Sequence, residues 1–237
     1  MSKNRSGPGG GGTPAPTRLP ITVVDTWSNS GAYGIGVPVS PANVGDLMVL
    51  FISIYSRSQL TSSVSGGGIP ATGPGSWQRL SYEIVRNASQ ASELWVGVVG
   101  TTGPSNITLV TTGASNIKLM ASELEAGTSP NWTCYGNTGQ GIYYIGTVYS
   151  WETPFLTPQG STELYMAFVS TGIGDVTITT GSLTPTAIVY CGGLFPNTAA
   201  IAYAPDVVGV SNYFGASGTY ISGLNYDQLA TLIYATT

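Results

Sequence analysis

The chain has 237 residues, with 33 Gly, 15 Pro, only 8% charged residues, a formal charge of −4 and no histidine. That length fits one large all-β domain or two small ones, and 42% hydrophobic residues are ample for a core, which excludes disorder of the whole chain. The acidic balance argues against a phosphate-binding groove for nucleic acid, and the lack of histidine removes Ser-His-Asp and Cys-His nucleophilic pairs and the commonest metal ligand.

Residues 1–18, MSKNRSGPGGGGTPAPTR, read as a flexible Gly/Pro-rich arm ahead of a single β-sandwich domain over 19–237. Of the seven Lys and Arg, Lys3, Arg5 and Arg18 all fall in this arm, leaving four cations to face all eleven acids in the body. A basic arm on an acidic body is suited to docking on a neighbouring subunit. The arm contains no apolar stretch of a secretory leader, and no apolar run of helix length follows. The product is therefore expected to be made and kept soluble in the cytoplasm, without membrane insertion.

The first strand is expected over 21–27, followed by a loop or short edge strand over 28–44, with Pro38 and Pro41 as breakers. Residues 47–54, Leu-Met-Val-Leu-Phe-Ile-Ser-Ile, are apolar at every position but Ser53. A strand apolar on both faces must be covered on both, which predicts the centre of a sheet. The segment 161–172 echoes it, as a second inner strand of one sandwich. Residues 56–76 read as a long polar loop holding Gly66, Gly67 and Gly68, with no GK[ST] sequence to make it a phosphate cradle.

Strands are expected over 77–86, where polar and apolar residues alternate, then 93–99, 106–111 and 116–125, with 112–115 as a hairpin turn between the last two. Further strands are expected near 142–149, 163–169, 176–180, 186–191, 199–204 and 227–235. The total is eleven or twelve, with no helix. Segments 131–141 and 211–223 read as loops. The fold class is an all-β, jelly-roll-like antiparallel sandwich, with two small sandwiches as the rival arrangement.

Chemistry is sparse. Cys134 and Cys191 match no zinc or CxxC spacing, and read more readily as buried small hydrophobes than as a disulfide. Glu123 and Glu125 lie two apart on one strand and share a face, so they could be read as the carboxylate pair of a glycosidase. The plainer reading is a solvated outer face with Leu124 turned inward. The single Asp residues form no Ca²⁺-loop pattern, and Asp46 and Asp227 read as turn residues. No cofactor or metal site and no catalytic residue is expected. The aromatics are better candidates. Trp132, Tyr135, Tyr143, Tyr144 and Trp151 cluster in one polar stretch, and Tyr213, Phe214 and Tyr220 in another. Aromatic faces among amides and hydroxyls suit sugar rings and protein interfaces alike. Trp132, Tyr213 and Tyr220 are taken as receptor or interface residues, at least partly exposed.

Gly45-Asp46-Leu47 leading a buried strand, Gly75-Ser76-Trp77 closing a long loop, Glu93-Leu94-Trp95-Val96 and Glu123-Leu124-Glu125-Ala126-Gly127 resemble a β-sandwich module of tailed-bacteriophage virions. That module recurs in minor tail, fibre and decoration proteins, notably of phages infecting actinobacteria. Where the family often carries Pro-Ala-Gly-Trp, this chain has Gly73-Pro74-Gly75-Ser76-Trp77, and its tyrosine-rich second half also departs from the pattern. The resemblance implies a virion structural protein, assembled in the host cytoplasm and present in several copies or as a homo-oligomer. Its partners would be other virion proteins, met through the arm, and a host-surface glycan. A minor tail or fibre protein for host attachment is the first expectation, a capsid decoration protein the second and a carbohydrate-active enzyme the third. No catalytic residue carries over.

Overall fold

The computed structural model describes residues 16–31, 35–55, 60–85, 90–111, 116–140, 148–160, 162–171, 175–191, 199–208, 212–219 and 226–237. All-β expectation holds: the described residues form strands and no helix, and every strand pairing is antiparallel.

A short β1 (Arg18–Leu19) precedes two sets of eight strands. The first set is β2 (Thr22–Gly31), β3 (Gly36–Val39), β4 (Leu47–Tyr55), β5 (Ser63–Ser65), β6 (Gln78–Val85), β7 (Gln90–Val98), β8 (Ser105–Val110) and β9 (Asn116–Glu125). The second is β10 (Asn131–Gln140), β11 (Val148–Glu152), β12 (Glu163–Thr171), β13 (Val176–Thr179), β14 (Ala187–Cys191), β15 (Ala199–Val207), β16 (Gly215–Thr219) and β17 (Tyr226–Thr236). Within the first set, one sheet runs β2-β9-β4-β7-β6 and the other β3-β8-β5. Within the second, β10 lies beside β17 and the order continues β12-β15-β14, while the other sheet runs β11-β16-β13. Counted from β2 and from β10, the two halves have the same strand order.

Four layers result, with the five-stranded sheet and the six-stranded sheet that β1 completes inside, and the three-stranded sheets outside. Strand β4 shows why. Met48, Leu50, Ile52 and Ile54 join Val37, Val64, Ile107 and Trp95 in a core between the first half's own two sheets. Leu47, Val49 and Phe51, on the other face, meet Leu164, Met166 and Phe168 of β12 across the middle of the molecule. Tyr165, Ala167 and Val169, on β12's far face, pack against Val176, Ile178, Phe214 and Ala216 of the second outer sheet. Both apolar runs noticed in the sequence are thus the central strands of their sheets, covered on both faces. Across the middle, β6 packs on β10 and β14 packs on β2. These contacts are reciprocal, as in an isologous dimer.

Strand β1 joins the halves. Arg18 and Leu19 pair with Thr236 and Ala235 of β17, and Thr22, a few residues on, already pairs with Glu125 of β9. The two ends of this body meet where the Thr237 amide donates to the Thr17 carbonyl at 3.1 Å.

Four expectations are corrected. Residues 131–140 are not a loop but β10, in register with β17 along its whole length. Gly136 made it look like a turn, yet a Cβ there would lie 2.8 Å from Ser81 Oγ, so this glycine marks close approach of β6 rather than a break. Residues 215–219 are likewise β16, where a Cβ on Gly215 would meet Thr179 Oγ1 at 2.5 Å. The hairpin expected between β8 and β9 does not exist, because β8 pairs with β3 and β5 in the outer sheet while β9 pairs with β2 and β4 in the inner one. The expected long loop also contains β5, and its Gly66, Gly67 and Gly68 all have positive φ. Gly66 and Gly68 sit against the Asn106 and Thr101 carbonyls, where a side chain would not fit.

Candidate interaction site

Three glutamates are wholly buried, and each holds backbone or an arginine. Glu93 accepts from Trp95 Nε1 at 2.8 Å, from Arg79 Nη1 at 3.2 Å and from the Thr61 amide. Glu123 Oε1 accepts from the Ala42 and Asn43 amides at 2.8 and 3.3 Å. Glu163 Oε1 accepts from the Gln159 amide at 2.9 Å and from Arg18 Nη1 at 2.9 Å. These carboxylates sit beneath loops and strand ends, where buried charge is tolerated only when hydrogen-bonded or paired. Lys118 is buried too, its ammonium donating to the Thr171 carbonyl between the halves.

Glu123 and Glu125 therefore do not form a solvated pair. Glu123 is buried against the residues 42–43 backbone, Glu125 is exposed, and Leu124 turns into the central core as expected. Among the described residues no group of three or more Cys, Asp or Glu is placed to hold a metal ion. Cys134 and Cys191 are both free thiols packed at the central core. Burial pushes the Cys134 thiol up to about 12.

Two ring-to-ring contacts stand out among the described surface aromatics. On the outward face of the second inner sheet, Tyr135 of β10 and Tyr234 of β17 lie with ring centroids 5.9 Å apart and hydroxyls at 3.4 Å. The Arg18 guanidinium lies over Tyr234, 3.4 Å from the ring centroid, while its Nη1 reaches Glu163. Tyr135 is 40% exposed. The second cluster pairs Phe155, 46% exposed, with half-buried Tyr213 at 4.7 Å. A related pattern recurs on the first half, where Arg79 pairs with Glu93 and lies 5.4 Å from the centroid of exposed Tyr82.

No family model, curated protein or solved structure matches the chain.

Of the residues singled out from sequence, Lys3, Arg5, Tyr143, Tyr144 and Tyr220 lie outside the described residues. Arg18 is in β1 and bonded within its own chain. Trp132 is half-buried against the central core, and its indole N–H donates to the Gly45 carbonyl at 2.9 Å, fastening the second half to the loop before β4. Of the two described aromatics, Tyr213 lies in a surface cluster. Trp132 and Tyr213 are far apart in the layer order, one at the central core and the other beside the outer sheet. Sequence reasoning did not single out Tyr234 or Phe155. For Tyr234 the signal was the β10–β17 register, invisible while 131–140 was read as loop.

Proposed function

We propose that this chain is a virion structural protein of a tailed bacteriophage, a minor tail or fibre protein that contributes to host-surface attachment and performs no catalysis. The observation that carries this reading is the anchored base of the basic segment. Arg18 is tied to Glu163 and Tyr234, and Thr17 to Thr237, so the residues that follow the Lys3- and Arg5-bearing segment in sequence are held against the body. Such an arrangement suits a module that docks by its first residues and presents its remaining surface outward. The strand order supports a jelly-roll reading of each half, with the first, eighth, third and sixth strands side by side and the second, seventh and fourth in the facing sheet. The Tyr135–Tyr234 and Phe155–Tyr213 clusters supply aromatic faces for a neutral glycan or a neighbouring subunit.

The test is the number of copies per purified particle, measured by quantitative mass spectrometry, with immunogold labelling for position. A few copies at the tail are expected. Hundreds of copies on the head would replace the tail assignment by capsid decoration, and absence from particles would overturn both.

A further inference from the structure

The loop of residues 41–45 is exposed along Ala42, Asn43 and Val44, yet what holds it down is buried. Glu123 takes the Ala42 and Asn43 amides on Oε1, and Asn43 Nδ2 donates to Asp46 Oδ2 at 3.3 Å. Asp46 is 2% exposed and Glu123 fully buried, and with Glu123 opposite Met48 the two side chains are diagonal neighbours on one face at the start of β4, their carboxyls side by side. Glu123 Oε2 is buried and receives no donor from the described residues. Two carboxylates cannot share such a contact, whereas a carboxylic acid and a carboxylate can, and the missing donor is then the Asp46 O–H. Among the described residues the other charged groups near the pair are also acids: Glu125 on β9 and, opposite Glu123 on β2, exposed Asp25, whose Oδ1 accepts its neighbour Thr26's amide. The adjoining ends of β7 and β3 bring Val98, Val99 and Val39, which carry no charge.

We propose that Asp46 and Glu123 form a proton-sharing latch that closes the 41–45 loop, and that loss of the shared proton opens it. Opening reaches the second half as well, because Gly45 next to Asp46 holds the Trp132 indole N–H. Burial pushes the Asp46 carboxyl up to about 6, with Glu123 and Glu125 adding to the shift and the Asn43 amide opposing it. The raised group favours the closed form at low pH, and that preference is lost as pH rises through about 6.

Hydrogen exchange of the full chain between pH 5 and pH 8, corrected for chemical exchange rates, reads the latch at the Ala42 and Asn43 amides. Opening is expected to grow about tenfold over that range, following the difference between the closed and open carboxyl, while core amides of β4 stay protected. In Asp46→Asn the amide donates permanently to Glu123, and the pH dependence should vanish. A flat profile in the natural chain, or an unchanged one in Asp46→Asn, overturns the proposal. Carbon-13 NMR of the natural chain gives an independent reading: an Asp46 carboxyl titrating near 6 supports the latch, and one near the ordinary carboxylate value overturns it.

Discussion

Ser53 and Ser170 share a hydrogen bond of 2.7 Å across the middle of the molecule, 117 positions apart, each two residues beyond a phenylalanine of a central strand. Those phenylalanines, Phe51 and Phe168, stack with centroids 5.4 Å apart and planes within 12°. Equivalent residues of the two halves thus meet each other, as they must wherever two like units face one another around a common axis.

Truncating either ring leaves a cavity that two rigid sheets cannot close. Phe51→Ala and Phe168→Ala are each expected to cost about 3–5 kcal/mol. Because the rings are in contact, the double variant should cost less than the sum of the two. Urea unfolding of the three variants measures this directly, and strict additivity would contradict the stacked contact.

The Arg18–Glu163 pair is asymmetric, with the carboxylate wholly buried and the guanidinium partly exposed. Arg18→Met strands a buried charge and is expected to destabilise by about 2–3 kcal/mol. Arg18→Met combined with Glu163→Gln should recover much of that loss, since the glutamine oxygen still accepts the Gln159 amide. Thermal unfolding of the two variants decides between ion pairing and simple packing of the arginine stem.

Gly66 combines φ of +79° with a Cβ position only 2.0 Å from the Asn106 carbonyl oxygen. Gly66→Ala is expected to cost well over about 1 kcal/mol, since both strain and collision oppose it. Gly73, also at positive φ but with nothing near its Cβ, should suffer from strain alone. Comparing the two alanine variants by chemical denaturation separates the collision from the backbone effect.

The Cys134 thiol, pushed up to about 12 by burial, holds almost no thiolate at pH 8. Alkylation of Cys134 and Cys191 by iodoacetamide at that pH should be slow in the folded chain and fast in urea. Mass spectrometry should also find both as free thiols without reductant. Rapid labelling of the native protein would contradict their placement.

How much of this was legible in the sequence depended on which force shaped each segment. Strands β4 and β12 stood out because full burial writes an unbroken apolar run, and their likeness reads in sequence as two inner strands of one sandwich. Strands β10 and β16 did not, because their glycines serve close approach of Ser81 and Thr179, and glycine in sequence looks the same whether it turns or yields room. The buried role of Glu123 was hidden for a related reason. Its partners, the amides of residues 42 and 43, are backbone groups brought from 80 positions away and leave no mark in residue type. The alternation of Trp132, Cys134 and Gly136 with Thr133 and Tyr135 was present, and the run of Gly and Asn around it obscured the period.

The hydrogen bond between Thr17 and Thr237 makes this polypeptide suited to circular permutation. Residue 237 could be joined to residue 1, leaving residues 1–16 as the connection into β1, and new termini could open at the exposed, positive-φ Gly127 between β9 and β10. Every sheet would be preserved while the basic residues moved to the interior of the chain. A cargo fused after Thr237 would emerge beside Thr17 and Arg18, and an insertion at Gly127, four residues before the Asn131 that pairs with Thr236, would lie at that same end of the sheet.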